Sequence, residues 1–362
     1  MEIQKYFQQK KELYDILFKF IEYENDSTDI FEVLIDTIES QNINENKDEF
    51  VEFIILLSKI AKNHHRFPMF INRIEQILIQ IDIKQTLSNI EIFNLFKNNK
   101  RILLFLFQEK ILIPDETILK FIDNNQDYTF YFYNEIKPFL SQAKMNQIEK
   151  DIQNFEDVFN NFEEKCQNGE NDSFICSLIR NDSIDQFVVY SNQTNMPLSS
   201  KIKPSFFETN NFLLKKKDTT LIEYAAFFGS IQIFQYLRLN NVELKPSLWL
   251  YAIHSQNAEL IHLLESSQVK LDNEILYNCL KESIKCHHND ISNYILNNLM
   301  YEKVVHNYIV MCGFQHHNYL FLPVDFENEF IFYFTCKYNY LTLVKLLLST
   351  GEIQINKKIS LV

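Results

Sequence analysis

Thr220-Leu221-Ile222-Glu223-Tyr224-Ala225-Ala226-Phe227-Phe228-Gly229-Ser230, running on into Ile231-Gln232-Ile233-Phe234-Gln235-Tyr236-Leu237, is the stretch on which the reading of the fold turns. A second copy begins at Ser247-Leu248-Trp249-Leu250-Tyr251-Ala252-Ile253 and continues through residues 257–264, so Ala225 and Ala252 are equivalent, 27 positions apart (225 to 252). A third, Ser283-Ile284-Lys285-Cys286-His287-His288-Asn289, follows at a spacing of 31 (252 to 283), with Asp290-Ile291-Ser292-Asn293-Tyr294-Ile295 behind it. The fourth starts at Thr335-Cys336-Lys337-Tyr338-Asn339 and ends in Gly351-Glu352-Ile353-Gln354-Ile355-Asn356; its spacing of 52 (283 to 335) implies an inserted segment near 300–326. A divergent copy at 178–187 precedes all four. Small residues at 225, 226, 252 and 283 let two helices of one unit, and the next unit, approach closely. One helix pair cannot bury its apolar face alone, so such units stack.

Composition narrows the class. The chain has 362 residues, long for one core, so two domains or an elongated array are expected. Hydrophobic residues make up 46% and charged ones 23%, the profile of a folded soluble protein. There are only four glycines, at 169, 229, 313 and 351, and a phosphate-cradling loop needs several close together, so neither a P-loop nor a dinucleotide fingerprint can be written. Few Gly and seven Pro also argue against many tight turns, and the chain reads as all-α. A net charge of −13 opposes a nucleic-acid footprint, and the run Lys215-Lys216-Lys217 reads as a solvated loop. No apolar h-region follows Met1, and the apolar runs 53–57 and 102–107 fall far short of the ~20 residues of a membrane helix. A soluble, intracellular, cytoplasmic protein without membrane insertion is the expectation, its six cysteines reduced.

The first 165 residues carry a series of amphipathic helices. Ile3, Tyr6, Phe7, Leu13, Leu17, Phe20 and Ile21 keep to helical spacing on one stripe. Asp26 or Ser27 can cap a second helix bearing Ile30, Phe31, Val33, Leu34 and Ile38. A third spans about 47–62, and Pro68 suits the start of a fourth with Phe70, Ile74, Ile77 and Leu78 inward. Shorter helices are predicted near 86–97, 99–110, 115–123 and 129–140, and a polar one over about 144–167.

The repeated wording resembles the ankyrin pattern T-P-L-H-x-A-A-x-x-G followed by an apolar second helix. The phrases at 177–183, 221–230 and 246–249, with Asn63-His64-His65-Arg66 and residues 99–106, are similar to an ankyrin-containing family with a domain of unknown function, expanded in trichomonad protists. Departures are the missing Pro and His of T-P-L-H, Gln256 and His287 where Gly is usual, and the insertion before the last unit. The resemblance implies an all-α chain with a helical N-terminal domain, 1–165, followed by an ankyrin-repeat solenoid, 166–362. Its divergent unit lies near 172–206 and the others near 219–245, 246–271, 272–299 and 327–356. Spacings of 27 and 31 fall below the usual ~33, so the finger between units is trimmed.

Catalysis finds little footing. Cys279, Cys286, His287 and His288 lie near one another in sequence, as do His316 and His317, but a structural zinc site wants paired short spacings, and surface or turn histidines are the plainer reading. There is no G-x-S-x-G elbow, and pairs such as Glu163-Glu164 read as solvated charge. The expectation is therefore a non-enzymatic chain with no cofactor and no metal. The resemblance places the residue before the small pair, and the two after it, on a concave face. Those positions are Tyr224, Phe227 and Phe228; Tyr251, His254 and Ser255; Glu282, Lys285 and Cys286; and Phe334, Lys337 and Tyr338. Aromatics there suit a protein partner, because they bury large areas with few rotamers to freeze. The functional expectation is a scaffold or adaptor. Two alternatives stay open: a substrate-receptor subunit of a larger enzymatic complex, and a self-assembling structural protein whose uncapped last unit stacks on another copy.

Overall fold

The computed structural model describes residues 2–22, 28–67, 69–153, 161–216, 218–300, 306–322 and 328–351. Asp26, Ser27, Pro68, Lys217 and the closing turn beyond Gly351 lie outside them. The chain is all-α: the described residues contain no strand, only one bridge between Lys201 and Thr220. They form two compact units, Met1–Thr86 with Leu276–Val362, and Leu87–Ile275. The boundary expected at 165/166 falls inside the second unit.

The N-terminal helices are α1 (Glu2–Glu22), α2 (Thr28–Ser40), α3 (Lys47–Asn63), α4 (Phe70–Gln80) and the short α5 (Ile83–Thr86). Helix α1 buries the predicted stripe of Tyr6, Phe7, Leu13, Leu17, Phe20 and Ile21, each contributing on the order of 1.5–3 kcal/mol. Leu34 and Ile38 of α2 are buried, but Val33 is 50% exposed, one helical step off the inward face. Asn46 caps α3 by accepting from the backbone N–H groups of Asp48 and Glu49.

The second unit opens with α6 (Asn89–Phe96), α7 (Lys100–Gln108), α8 (Glu116–Asp123), α9 (Gln126–Tyr131), α10 (Tyr133–Ile136), α11 (Gln142–Gln153) and α12 (Phe162–Asn168). It continues as α13 (Phe174–Arg180), α14 (Ile184–Gln193), α15 (Asn211–Lys215), α16 (Leu221–Phe228), α17 (Ile231–Leu239), α18 (Leu248–Ser255) and α19 (Ala258–Ser266). Three helical hairpins stack here. First helix packs on first helix (α13 on α16, α16 on α18), and α14 packs on α17. Ala225, Ala226 and Ala252 are fully buried, which lets these helices approach closely.

The remaining helices are α20 (Asn273–Lys285), α21 (Asn289–Tyr294), α22 (His306–His316), α23 (Asn328–Tyr338) and α24 (Leu341–Ser349). Within the first unit, α24 packs against α1 and α3, so the chain's own N-terminal helices cover the last described helix.

One turn recurs along the described residues, closing α2, α14, α17 and α19 through Asn42, Asn195, Asn241 and Gln268 as well as six further helices. Asp182, Gly229, Gln256, His287, His317 and Asn339 all adopt positive φ, between 47° and 70°. In five cases the next residue's N–H bonds back five positions: Ser183 to Leu178, Ser230 to Ala225, His288 to Ser283, Asn318 to Gly313 and Tyr340 to Thr335. This is the left-handed C-terminal closure of a helix, which leaves no orphan carbonyl and re-aims the chain. Turns also meet turns: the Asp182 carboxylate accepts from the N–H groups of Gln232 and Ile233, and Asn257 donates to the Gly229 carbonyl. A Cβ at Gly229 would sit 3.3 Å from Ser255 Cβ, a tight contact, and glycine adopts its φ of 70° without the strain a side chain brings.

The segment read as an insertion carries the same device. Gly313 stands four residues before His317, as Ser283 stands before His287 and Thr335 before Asn339, dividing the gap of 52 into 30 (283 to 313) and 22 (313 to 335). A Cβ on Gly313 would lie 3.0 Å from Leu322 Cδ2 and 3.1 Å from the Phe321 carbonyl oxygen. Gly313→Val should therefore lower stability by about 2–3 kcal/mol, through overpacking against backbone that cannot retreat. Gln256→Gly should raise it by roughly 0.5–1 kcal/mol by removing left-handed strain. Urea denaturation of the two variants checks both signs.

Candidate functional site

Six of the residues predicted for a concave face come together in the second unit, but five are buried. Tyr224 is 1% exposed and its hydroxyl accepts from Arg180 Nη1 at 2.8 Å. Burial holds its phenol well above the usual range. Tyr251 is also buried; its hydroxyl lies 3.2 Å from Thr219 Oγ1, and burial pushes it up to about 12. Phe227, His254 and Ser255 are buried as well, and Ser255 Oγ donates to the Ala252 carbonyl. Only Phe228 is half-exposed.

The physical reason is Phe212. This residue of α15, which the sequence reading passed over, lies against the predicted face. Its ring centroid is 5.8 Å from Phe227 in a stacked arrangement, 5.0 Å edge-on from Tyr251, and 4.2 Å from His254. The expectation of accessible aromatic anchors at Tyr224, Phe227, Tyr251 and His254 is thus corrected: the chain's own segment occupies that face. The signal was Asn211-Phe212-Leu213-Leu214, an apolar run just before the first clear repeat.

The first unit holds the remainder. Glu282 and Lys285 are half-buried and paired with each other, and Cys286 is fully buried. Phe334 is buried between Phe314 and Tyr338, stacked on each at 6.1 Å. Lys337 is exposed with its ammonium over the rings of Tyr333 and Tyr338, and Tyr338 is half-exposed.

A different surface of the second unit does present apolar side chains. Phe174 at the start of α13 and Val189 on α14 are 55% and 54% exposed. With Asp185, Gln186, Tyr190 and Gln193 they line an open depression of about 350 Å³. Phe174 meets Tyr190 edge-to-face at 5.1 Å, which holds both rings in place.

The chemistry inside the first unit is polar, buried and missed by sequence reasoning. Glu52 of α3 is fully buried and accepts from the hydroxyls of Tyr6 and Tyr319, the latter at 2.6 Å, with Lys10 Nζ 3.9 Å away. Burial raises its carboxyl above the ordinary value, while Lys10 and the two hydroxyls act the other way. Tyr14 bonds to His287 Nδ1 at 2.8 Å and accepts from Asn289 Nδ2 at 3.1 Å. His64 donates through Nδ1 to the Cys286 carbonyl at 2.7 Å. Tyr6, Lys10 and Tyr14 are four apart, so their polar tips share one stripe of α1. That spacing was the available signal.

Five cysteines, 166, 176, 279, 286 and 312, are buried, and burial pushes every one of these thiols upward, away from the reactive thiolate. Among the described residues, no three donors drawn from Cys279, Cys286, His287, His288, His316 and His317 come within 4.8 Å of one another. No described helix is long and apolar enough to cross a membrane. Comparison with protein-family models, with curated proteins and with solved structures finds no match.

Phe212→Ala should cost about 3–5 kcal/mol, because it empties a volume walled by Phe227, Tyr251 and His254. Chemical denaturation measures that loss; a cost below about 1 kcal/mol would mean that Phe212 rests on the face without filling it.

Proposed function

We propose that this chain is a non-catalytic scaffold of ankyrin-like helical repeats that holds a protein partner. The observation that carries the reading is the recurring turn. The left-handed closure falls at the ends of α13, α16, α18, α20, α22 and α23, among other helices, and in the second unit like helices pack on like. Repetition of one structural unit yields an extended surface rather than a single enclosed pocket, which is how solenoids recognise other proteins. The interior supports the same reading: its thiols are raised by burial, and its buried carboxylate is engaged by two tyrosines and a lysine.

The contact face assigned in this proposal is the α13–α14 surface around Phe174, Val189 and Tyr190. Exposed aromatic and branched apolar groups there supply the anchors that the Phe212-covered face withholds. Coverage of α24 by α1 and α3 favours a monomeric scaffold over end-to-end stacking of copies.

Affinity capture from native lysate tests this, comparing wild type with Phe174→Ser/Val189→Asp and with Lys337→Ala/Tyr338→Ala, each first checked for folding by circular dichroism. A specific protein retained by wild type and the second variant, and lost at least tenfold by the first, is the predicted result. Loss only with the second variant would move the face to α23. Capture of no protein by wild type would remove the scaffold reading.

A further inference from the structure

Five of the nine histidines lie buried in the first unit, where α1 and α3 meet the repeat turns: His64, His287, His288, His316 and His317. For His287, His316 and His317 burial disfavours the charged ring, because a charge without a partner is costly to bury. His317 is the extreme case. It is fully buried, its ring lies flat on Tyr340 at 4.4 Å with an interplanar angle of 18°, and neither ring nitrogen has a hydrogen-bond partner. His287 uses Nδ1 toward Tyr14, stacks on Phe18 at 5.4 Å and has the His316 backbone beside it, which acts against the depression of its pKa; Nε2 of His316 has no hydrogen-bond partner.

We propose that this seam is an acid-opened clasp: mild acidification releases α1 and α3 from the turns at 286–289 and 316–319. The contacts it would break are few and directional. They are Tyr14 with His287, Asn289 with Tyr14, His64 with the Cys286 carbonyl, Lys59 with the Gln315 carbonyl, and Glu52 with Tyr319. Two of the five contain a histidine of the cluster.

The charged neighbours set the direction. From α3, Lys59 faces His287, His316 and His317; from α1, Lys10 faces His317. Lys281 and Lys285 of α20 face His316, as does Glu282, which acts the opposite way. His64 and His316 add to the repulsion at His287, and His287 and His316 to that at His317. Glu22 lies 3.4 Å from His64 Nε2. Tyr6, Tyr14, Tyr319 and Tyr340 stay neutral, their phenols held up by burial. Burial first, and these cations second, hold His287 and His317 well below the ordinary histidine value and His316 down to about 3.

A depressed histidine stabilises the closed state above about pH 6.5, and that stability is lost as pH falls, since only the open state takes the protons. Glu52 has the reverse sign: its raised carboxyl takes a proton more readily when closed. Between pH 7.5 and 6.0 each of the three histidines favours opening by about fourfold, and Glu52 offsets part of it, giving roughly ten- to fiftyfold overall.

Hydrogen exchange of the full chain at pH 7.5 and 6.0, corrected for intrinsic chemistry, reads this directly. Opening of peptides from α1, α3 and α22 should rise ten- to fiftyfold. Peptides from α16 and α18 are the internal control and should change less than about threefold. His317→Asn, which tolerates the left-handed backbone, and His316→Gln should each weaken the pH response about fourfold. Equal change in both units, or none in the first, would overturn the clasp. The wild-type comparison decides the matter even if a variant fails to fold.

Discussion

Burying Glu52 is the constraint on which the first unit depends. A carboxylate withdrawn completely from water costs several kcal/mol unless its lone pairs are engaged. Here one oxygen, Oε1, is engaged from two directions, by Tyr6 and Lys10 of α1 and by Tyr319, while Oε2 is buried without a hydrogen-bond partner. Satisfying that group specifies which partner α3 must have. An apolar face alone would accept many partners, whereas a buried polar group accepts only one that brings its donors to the right place. Two distant segments therefore fold together, although 267 residues separate Glu52 from Tyr319.

Local structure was largely written in the sequence. The apolar stripes of α1 and α4 fall where periodicity placed them, the small residues at 225, 226, 252 and 283 are buried, and Gln256 and His287 hold the positive φ of the turn where the resembled pattern has Gly. These depend on neighbours three to five residues away, which one sequence displays. Three features were not legible. Pairing of α1 and α3 with α24 joins segments whose apolar stripes look alike from outside, so periodicity cannot match them. Coverage of Phe227, Tyr251 and His254 by Phe212 depends on the path of a long connection, for which no local rule exists. Gly313 was visible as one of four glycines, but its role as the small residue of a hidden unit emerges only with the left-handed turn at His317.

The burial of the predicted aromatic anchors bears on the proposed scaffold role. Side chains that cement neighbouring hairpins cannot also greet a partner. Tyr224, Tyr251 and Phe334 are committed to the interior, whereas Phe174 and Val189 stay more than half exposed. Separating structural from binding residues lets the surface vary without loosening the stack. The histidine-lined seam is the counterpart inside the first unit, where one buried junction couples two distant segments to the proton concentration.

The account rests most heavily on the joint at Glu52, and a double-mutant cycle measures it. Urea denaturation of wild type, Glu52→Ala, Tyr319→Phe and the double variant gives the coupling between the two groups. The structure predicts a coupling of about 1–3 kcal/mol, as for buried groups sharing one network. Additivity to within about 0.5 kcal/mol would contradict a first unit built on this joint.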